Sequence, residues 1–172
     1  MLYVTHSGYD YSEKRCVNVV EWFVYEFLSR YNIDINVHHC RLVNRESVYG
    51  WCWPTDWDYR PREFDIEIDN QLPIHQYIET LLHELWHVYQ HVKGDLKDRY
   101  GKRCWKGVDH SKIDYENQPW EKEAHKMEKI LYHQYKSFSK KSWKLNLFAS
   151  NQEQVKHKIA SLIICTIYTL VV

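Results

Sequence analysis

The sequence predicts an α+β fold with an N-terminal helix, a small three-stranded, mainly antiparallel sheet, a central helix and a downstream helix. Two patterns support this prediction. Apolar residues recur at helical spacing in long segments on either side of residues 33–69. Within 33–69, short runs alternate apolar and polar residues, as half-buried strands do. The connections between these runs are too short for crossover helices, which favours antiparallel pairing.

The first helix is predicted from Ser12, a suitable N-cap residue, to about Tyr31. The three strands are predicted at 33–37, 48–53 and 64–69. The end of the third run, Glu67-Ile68-Asp69, is expected to lie at an edge of the sheet, where an extended peptide could pair with it.

A central helix is predicted near residues 73–93. Pro73 suits the first helical position and Gly94 suits the end. At about 100° per residue, the centre of the apolar stripe lies roughly opposite His83 and His87, so these histidines face away from it. The stripe consists of Ile74, Tyr77, Ile78, Leu81, Leu82, Leu85, Val88 and Val92.

The segment His83-Glu84-Leu85-Trp86-His87 is an H-E-x-x-H motif within this helix. Residues i and i+4 lie on one side of a helix, so His83 and His87 can both offer a ring nitrogen to one tetrahedral zinc ion. Glu84 is the candidate general base, because a carboxylate beside a zinc-bound water can take its proton. The motif and its helical context predict a zinc hydrolase.

A catalytic zinc typically has three protein ligands, so a third is required. Glu121 is the preferred candidate, because it begins a predicted helix that opens at Gln118-Pro119 and Ala124 leaves room for close helix approach. His91 is rejected, since three ligands on one straight helix would span about 12 Å. The alternatives left open are Glu123, which points to a different helix face, His110 and His125.

Residues 93–119 show no sustained periodicity and are predicted to form a long connection. Connections of this length in compact domains are commonly functional. This one is expected to form a wall of the cleft or a lid over it.

Composition and charge limit the other functions. Lys plus Arg equals Asp plus Glu at 23 each, so there is no general electrostatic attraction to nucleic acid or to an acidic membrane surface. The five cysteines include no C-x-x-C pair, and no secretory signal begins the chain. These features favour a cytoplasmic protein with free thiols.

Residues 1–150 are predicted to form a single domain and residues 151–172 an apolar C-terminal tail. The run from Ile159 to Val172 has no charge, but its roughly 14 residues fall short of the roughly 20 that span a bilayer as a helix. A tail that docks on the domain or on another chain is expected rather than a membrane anchor.

The H-E-L-W-H motif, followed by D-Y-E-N-Q-P-W-E-K-E-A from Asp114 to Ala124, resembles the compact gluzincin-type metallopeptidases found in bacteriophage genomes. The resemblance covers about residues 64–135. It implies a zincin fold, zinc-dependent peptide-bond hydrolysis, zinc ligands His83, His87 and Glu121, and Glu84 as general base. For a phage protein the compartment would be the host cytoplasm.

The chain departs from this family at one position. Many of its members have Asp or Asn after the Ala of E-x-x-A, and this chain has His125 there. The usual carboxylate contact to a zinc histidine is therefore in question. The oxyanion donor stays open between Tyr115 and His125.

SprT-like proteases, which often act near DNA, are a more distant resemblance and would require His110 as third ligand. The metzincin pattern would require a histidine at position 93, which is Lys93. The alternative from another class is a zincin-fold binding or regulatory protein with weak or no catalysis. Glu84 beside the two histidines favours the peptidase, whose partner would be a peptide or protein substrate.

Overall fold

The computed structural model describes residues 1–9, 11–42, 48–56, 59–99 and 101–141. The chain divides into two compact units, Met1–His133 and Gln134–Val172. The second unit is described only over residues 134–141, which are helical. The predicted boundary at residue 150, the apolar tail 151–172 and Cys165 lie outside the described residues.

The first unit has a mixed α and β composition, as predicted, but its main sheet differs from the prediction. Four strands lie in the order β1-β2-β4-β3, with β1 parallel to β2, β2 parallel to β4, and only β3 antiparallel to β4. The prediction of three mainly antiparallel strands is therefore wrong for this sheet. The strands are β1 Leu2–Gly8, β2 Ile33–Cys40, β3 Gly50–Pro54 and β4 Glu63–Asp69.

The N-terminal helix explains the parallel pairing. Helix α1, Glu13–Leu28, is the crossover connection that returns the chain from β1 to the start of β2. It begins after Ser12 as predicted and ends three residues before Tyr31, the predicted end. Its buried side packs against α2 and β1 and consists of Cys16, Val19, Val20, Trp22, Phe23, Val24 and Leu28.

The segment Glu67-Ile68-Asp69 belongs to β4, which pairs with β2 on one side and β3 on the other. Its backbone is thus not at an edge, and the prediction of peptide pairing at these residues is wrong. The edge strand beside β4 is β3. A sequence alternation shows which face of a strand is buried, but not which strands are its neighbours.

The central helix α2 spans Ile74–Lys93, which confirms the predicted segment. Pro73 lies just before it. Gly94 ends it in the left-handed conformation (φ 78°), with its N–H donating to carbonyl groups of the last turn. The core of this unit lies between α2 and the main sheet. It includes the fully buried side chains of Leu82 on α2, Ile35 on β2 and Phe64 on β4.

Residues 93–119 contain more regular structure than the predicted connection. Strands β5 Leu96–Arg99, β6 Lys102–Trp105 and β7 Val108–Asp109 form a small antiparallel sheet, and a 3₁₀ turn follows at Tyr115–Asn117. Helix α3 begins at residue 119, and its residues 119–133 belong to the first unit. Leu96 and Trp105 of the small sheet form an apolar cluster with Trp120 of α3. The small sheet therefore holds the start of α3, where Glu121 lies.

A buried histidine on α2 predicts a dependence of stability on pH. Burial lowers the pKa of His91 to about 4, below its usual 6.5. As pH falls from about 6.5 to about 4, the unfolded chain takes up a proton that the folded protein excludes, so folding should lose about 3 kcal/mol. The His91→Gln variant should lose less stability between pH 7 and pH 4.5 than the wild type. Urea unfolding in EDTA measures this without a contribution from bound metal.

The control for this experiment is His75→Gln, since His75 is exposed near the start of α2. It should keep the pH dependence of the wild type. An unchanged pH dependence in His91→Gln would show that another group accounts for the acid sensitivity.

In the described part of the chain, no helix has the length and apolar content that crossing a bilayer requires.

Candidate metal centre

Three of the residues predicted as metal ligands lie together. His83 and His87 project from α2, and Glu121 projects from the first turns of α3. The Nε2 atoms of the two histidines are 3.2 Å apart. Glu121 Oε2 lies 3.3 Å from His83 Nε2, and Glu121 Oε1 lies 3.4 Å from His87 Nε2. These residues form a cluster that could bind a metal ion.

The distances between ligand atoms fit a small tetrahedral ion. For bonds of about 2.0–2.1 Å at tetrahedral angles, two ligand atoms of one zinc ion are about 3.3–3.4 Å apart. The three distances in the cluster, 3.2, 3.3 and 3.4 Å, agree with this separation. Each Nε2 atom thus already lies at this separation from the other Nε2 and from one oxygen of Glu121, which is Oε2 for His83 and Oε1 for His87.

The hydrogen bond at the other ring nitrogen of His83 orients Nε2 towards the cluster. His83 Nδ1 lies 2.8 Å from Glu128 Oε2 on α3. Burial raises the pKa of Glu128, but its hydrogen bonds with His83 and His125 and the charges of these two residues together outweigh burial, so the pKa is lowered overall. Glu128 is thus a carboxylate that accepts the Nδ1 proton. This carboxylate–histidine pairing leaves Nε2 free to bind a metal.

His87 is oriented in the same way by an amide. Its Nδ1 lies 2.9 Å from Gln90 Oε1. The Gln90 Nε2 group donates to the Trp120 carbonyl and to Glu123 Oε2, both at 3.0 Å, so the amide oxygen must face His87. Nδ1 of His87 therefore carries the proton, and its Nε2 has the free lone pair.

With both Nδ1 atoms donating, the neutral forms of His83 and His87 have no proton on Nε2. Two such nitrogens at 3.2 Å cannot hydrogen-bond to each other, and a shared cation stabilises them. Without an ion, protonation of the imidazole rings takes over the role of the shared cation. Burial lowers the pKa of His83, but hydrogen bonds with Glu121 and Glu128 outweigh it and raise the pKa to about 10. The donor set therefore fits a divalent metal.

The pKa of Glu121 responds to the same contacts. Burial raises it, but the hydrogen bonds with His83 and His87 outweigh burial and hold it well below its usual range. Glu121 is thus negatively charged at neutral pH. An anionic oxygen beside two imidazole nitrogens matches the ligand preference of zinc.

Glu84 lies beside this cluster and is 5% exposed. Burial raises its pKa, and the neighbouring His87 and His83 only partly oppose this effect. The side chain lies between α2 and β3, since its carboxylate is close to the backbone of Gly50. A carboxylate with a raised pKa is a stronger proton acceptor than one in water, as a general base requires.

The rival third ligands lie elsewhere. Glu123 Oε2 accepts hydrogen bonds from Trp86 Nε1 at 3.1 Å and from Gln90, so it supports His87 indirectly. The His110 ring packs edge-on against Trp120. Neither Glu123 nor His110 belongs to a possible metal cluster among the described residues.

His125 lies beside His83 and Glu128. Its ring centroid is 4.6 Å from that of His83, and its Nδ1 is 3.4 Å from Glu128 Oε2. His83, His125 and Glu128 also offer ligand atoms that lie within 4.8 Å of one another. However, the His83 atom that contacts Glu128 is Nδ1, which donates to it, so Glu128 orients His83 Nε2 towards the first cluster.

Tyr115 borders the cluster on the side of Glu121. Its hydroxyl donates a 3.0 Å hydrogen bond to Glu121 Oε2. Burial and the negative charge of Glu121 raise the pKa of Tyr115, so the hydroxyl keeps its proton at neutral pH. Tyr115 and His125, the two candidate oxyanion donors, thus lie next to different ligands.

Sequence reasoning missed Glu128 and Gln90. Both positions have a sequence signal. Glu128 is seven residues after Glu121, which places the two carboxylates on one face of α3, and Gln90 is three residues after His87. The carboxylate contact that was in question at position 125 is made by Glu128, one helical turn further on.

The contact between Glu128 and His83 predicts an effect on metal affinity. The Glu128→Gln variant keeps the shape of the side chain but removes the charge that holds the Nδ1 proton. Zinc affinity, measured by competition with a chromogenic chelator, should fall by about 10–100-fold. The Glu116→Gln variant is the control, since Glu116 is an exposed residue of the 3₁₀ turn. Equal affinities for the two variants would contradict the proposed role of Glu128.

Comparisons with protein-family models, with curated proteins and with solved structures give no match for this chain. The resemblance to gluzincin-type metallopeptidases therefore stays a prediction from the motif residues.

Proposed function

We propose that this protein is a zinc-dependent metallopeptidase with His83, His87 and Glu121 as metal ligands. The observation that supports this most is the position of Glu84. A buried carboxylate with a raised pKa lies next to a cluster of three residues that could hold a metal ion. A site that only stores or transports zinc has no need for this fourth group.

A zinc ion in this cluster would polarise a scissile carbonyl and lower the pKa of water towards about 7. Glu84 takes the proton of the attacking water and returns it to the leaving amine. Glu128 and Gln90 hold the imidazole rings of His83 and His87 in the orientation that binds the ion.

The outer edge of β3, which pairs with no other strand among the described residues, is the proposed contact for an extended substrate. The Tyr49 carbonyl accepts a hydrogen bond from the Asp69 N–H, and the Thr55 N–H donates one to the Glu63 carbonyl. The backbone groups of Tyr49 and Thr55 therefore point towards β4. Hydrogen-bonded positions alternate along an antiparallel ladder, so the backbone groups of Gly50 and Cys52 point away from β4. A peptide that pairs with these groups would pass beside Glu84.

The test is hydrolysis of a casein or peptide library by the purified protein in H₂¹⁸O, with products identified by mass spectrometry. We expect new C-termini that contain ¹⁸O, complete loss of cleavage with a zinc chelator, and recovery after one equivalent of zinc is added. Cleavage that persists in the metal-free protein would contradict the proposal. Stoichiometric zinc without cleavage of any peptide would favour a binding or regulatory protein.

A further inference from the structure

The edge strand β3 approaches α2 closely at Gly50. A Cβ atom built on Gly50 would lie 2.7 Å from Glu84 Oε1, 3.0 Å from Glu84 Cγ and 2.8 Å from Thr80 Cγ2. Real Cβ atoms essentially never have contacts under 3.0 Å. No side chain therefore fits at position 50 unless the strand, the helix or the carboxylate moves.

The need for glycine at position 50 comes from this lack of space. The four described glycines with positive φ are at positions 8, 94, 101 and 107, so Gly50 has a backbone conformation open to other residues. It pairs with Ile68 in the regular antiparallel register of β3 and β4. The backbone conformation at this position thus allows alanine. Only the α2 side chains Glu84 and Thr80 leave no space for its methyl group.

The group that would move most easily is the Glu84 carboxylate. It lies at the end of a side chain with rotatable bonds, whereas β3 is held by its ladder with β4 and the Thr80 methyl group lies close to the helix backbone. A shift of about 1 Å in a catalytic group can cost about 10²-fold in rate. A single methyl group at position 50 would therefore affect Glu84 before the metal ligands.

We infer that Gly50 is a positioning residue for Glu84: the absence of a side chain leaves the space in which the carboxylate is held between α2 and β3. The catalytic part of this inference rests on the proposed peptidase function. The steric contact between Gly50 and Glu84 does not, and it can be measured in a protein without activity.

The first experiment compares Gly50→Ala with Gly101→Ala. Apart from its chain neighbours, a Cβ atom at Gly101 would meet no atom of the described residues within 4 Å, and its positive φ makes this control strained as well. We expect Gly50→Ala to lower kcat about 10²-fold with little change in KM or in zinc affinity, and Gly101→Ala to leave kcat unchanged. Wild-type kcat in Gly50→Ala would overturn the inference.

The second experiment measures the contact through stability. In the metal-free protein, Gly50→Ala should lower the melting temperature by roughly 2–10 °C, as overpacking does. In the Glu84→Ala background, the same substitution should lower it by less, because two of the three crowded atoms are gone and only the contact with Thr80 Cγ2 is left. The shift from Gly101→Ala should be equal in both backgrounds.

The two experiments separate the inference from the proposed function. Equal losses from Gly50→Ala in both backgrounds would overturn the inference, whether or not the protein cleaves peptides. A smaller loss in the Glu84→Ala background supports the inference even if the wild type proves inactive, in which case the peptidase proposal alone fails. If Gly50→Ala does not fold but the double variant does, the steric contact is supported directly.

Discussion

The Glu84→Gln variant should lose hydrolytic activity by about 10²–10⁴-fold and keep its zinc. The amide has nearly the shape of the carboxylate but cannot accept a proton from water, and general acid–base catalysis contributes about this factor. Glu84 is not one of the three ligands whose atoms form the cluster, so zinc binding should not depend on it. The measurement is kcat/KM on the best peptide from the library, together with zinc content by mass spectrometry.

The matched control is Glu79→Gln, five residues earlier on α2 and outside the possible metal clusters of the described residues. It should have wild-type activity and zinc content. If Glu84→Gln kept its activity, a different group would have to activate the water. If it lost its zinc as well, Glu84 would be a ligand and the assignment of Glu121 would need revision.

Glu121→Gln should lower zinc affinity by at least about 100-fold, more than the loss of a hydrogen bond to a ligand costs. The substitution removes the only anionic oxygen from the three-ligand cluster and replaces it with a neutral amide. Competition with chelators of graded affinity measures the loss. Activity at saturating zinc should stay low, because the amide binds the ion in a different geometry.

Glu123→Gln is the decisive comparison, since Glu123 is one of the alternative third ligands and lies two residues from Glu121 on α3. Its carboxylate contacts Trp86 and Gln90 rather than the histidine Nε2 atoms. Its zinc affinity should change by no more than about 10-fold, because Glu123 contacts the Gln90 amide that orients His87 and does not contact the ion itself. A larger loss in Glu123→Gln than in Glu121→Gln would show that the two carboxylates exchange roles in the metal-bound protein.

The features predicted correctly from the sequence are those set by local periodicity. The apolar stripe of α2 and the flanking Pro73 and Gly94 fixed the helix to within one residue. The i, i+4 spacing brought His83 and His87 together, and the helix that opens at residue 119 brought Glu121 to them. Within a helix, sequence spacing determines side-chain geometry almost completely.

The features that the sequence did not predict depend on contacts between distant segments. Strand β1 was missed because none of its side chains is fully buried, so its alternation is weak. The parallel pairing of β2 with both neighbours depends on α1 as a crossover, and strand alternation contains no information on pairing direction. Among the described side chains of the small sheet β5–β7, only Leu96 and Trp105 are buried, which are too few apolar residues to indicate strands.

The same reason explains which parts of the metal centre were missed. Glu128, Gln90 and Gly50 act through residues on other elements or turns, and their roles become visible only when α2, α3 and β3 are packed together. Trp120 shows this most clearly. Its ring joins the small sheet to α3 and its carbonyl fixes the Gln90 amide, so one residue connects the loop region to the orientation of His87.

X-ray absorption at the zinc edge of the wild-type protein, loaded with one equivalent of zinc, tests the metal centre most directly. We predict only nitrogen and oxygen ligands at about 2.0–2.1 Å, with outer-shell scattering from two imidazole rings. The His87→Ala variant should show one ring or no bound zinc. A sulfur ligand near 2.3 Å, or a wild-type protein that does not retain zinc, would contradict the assignment of His83, His87 and Glu121.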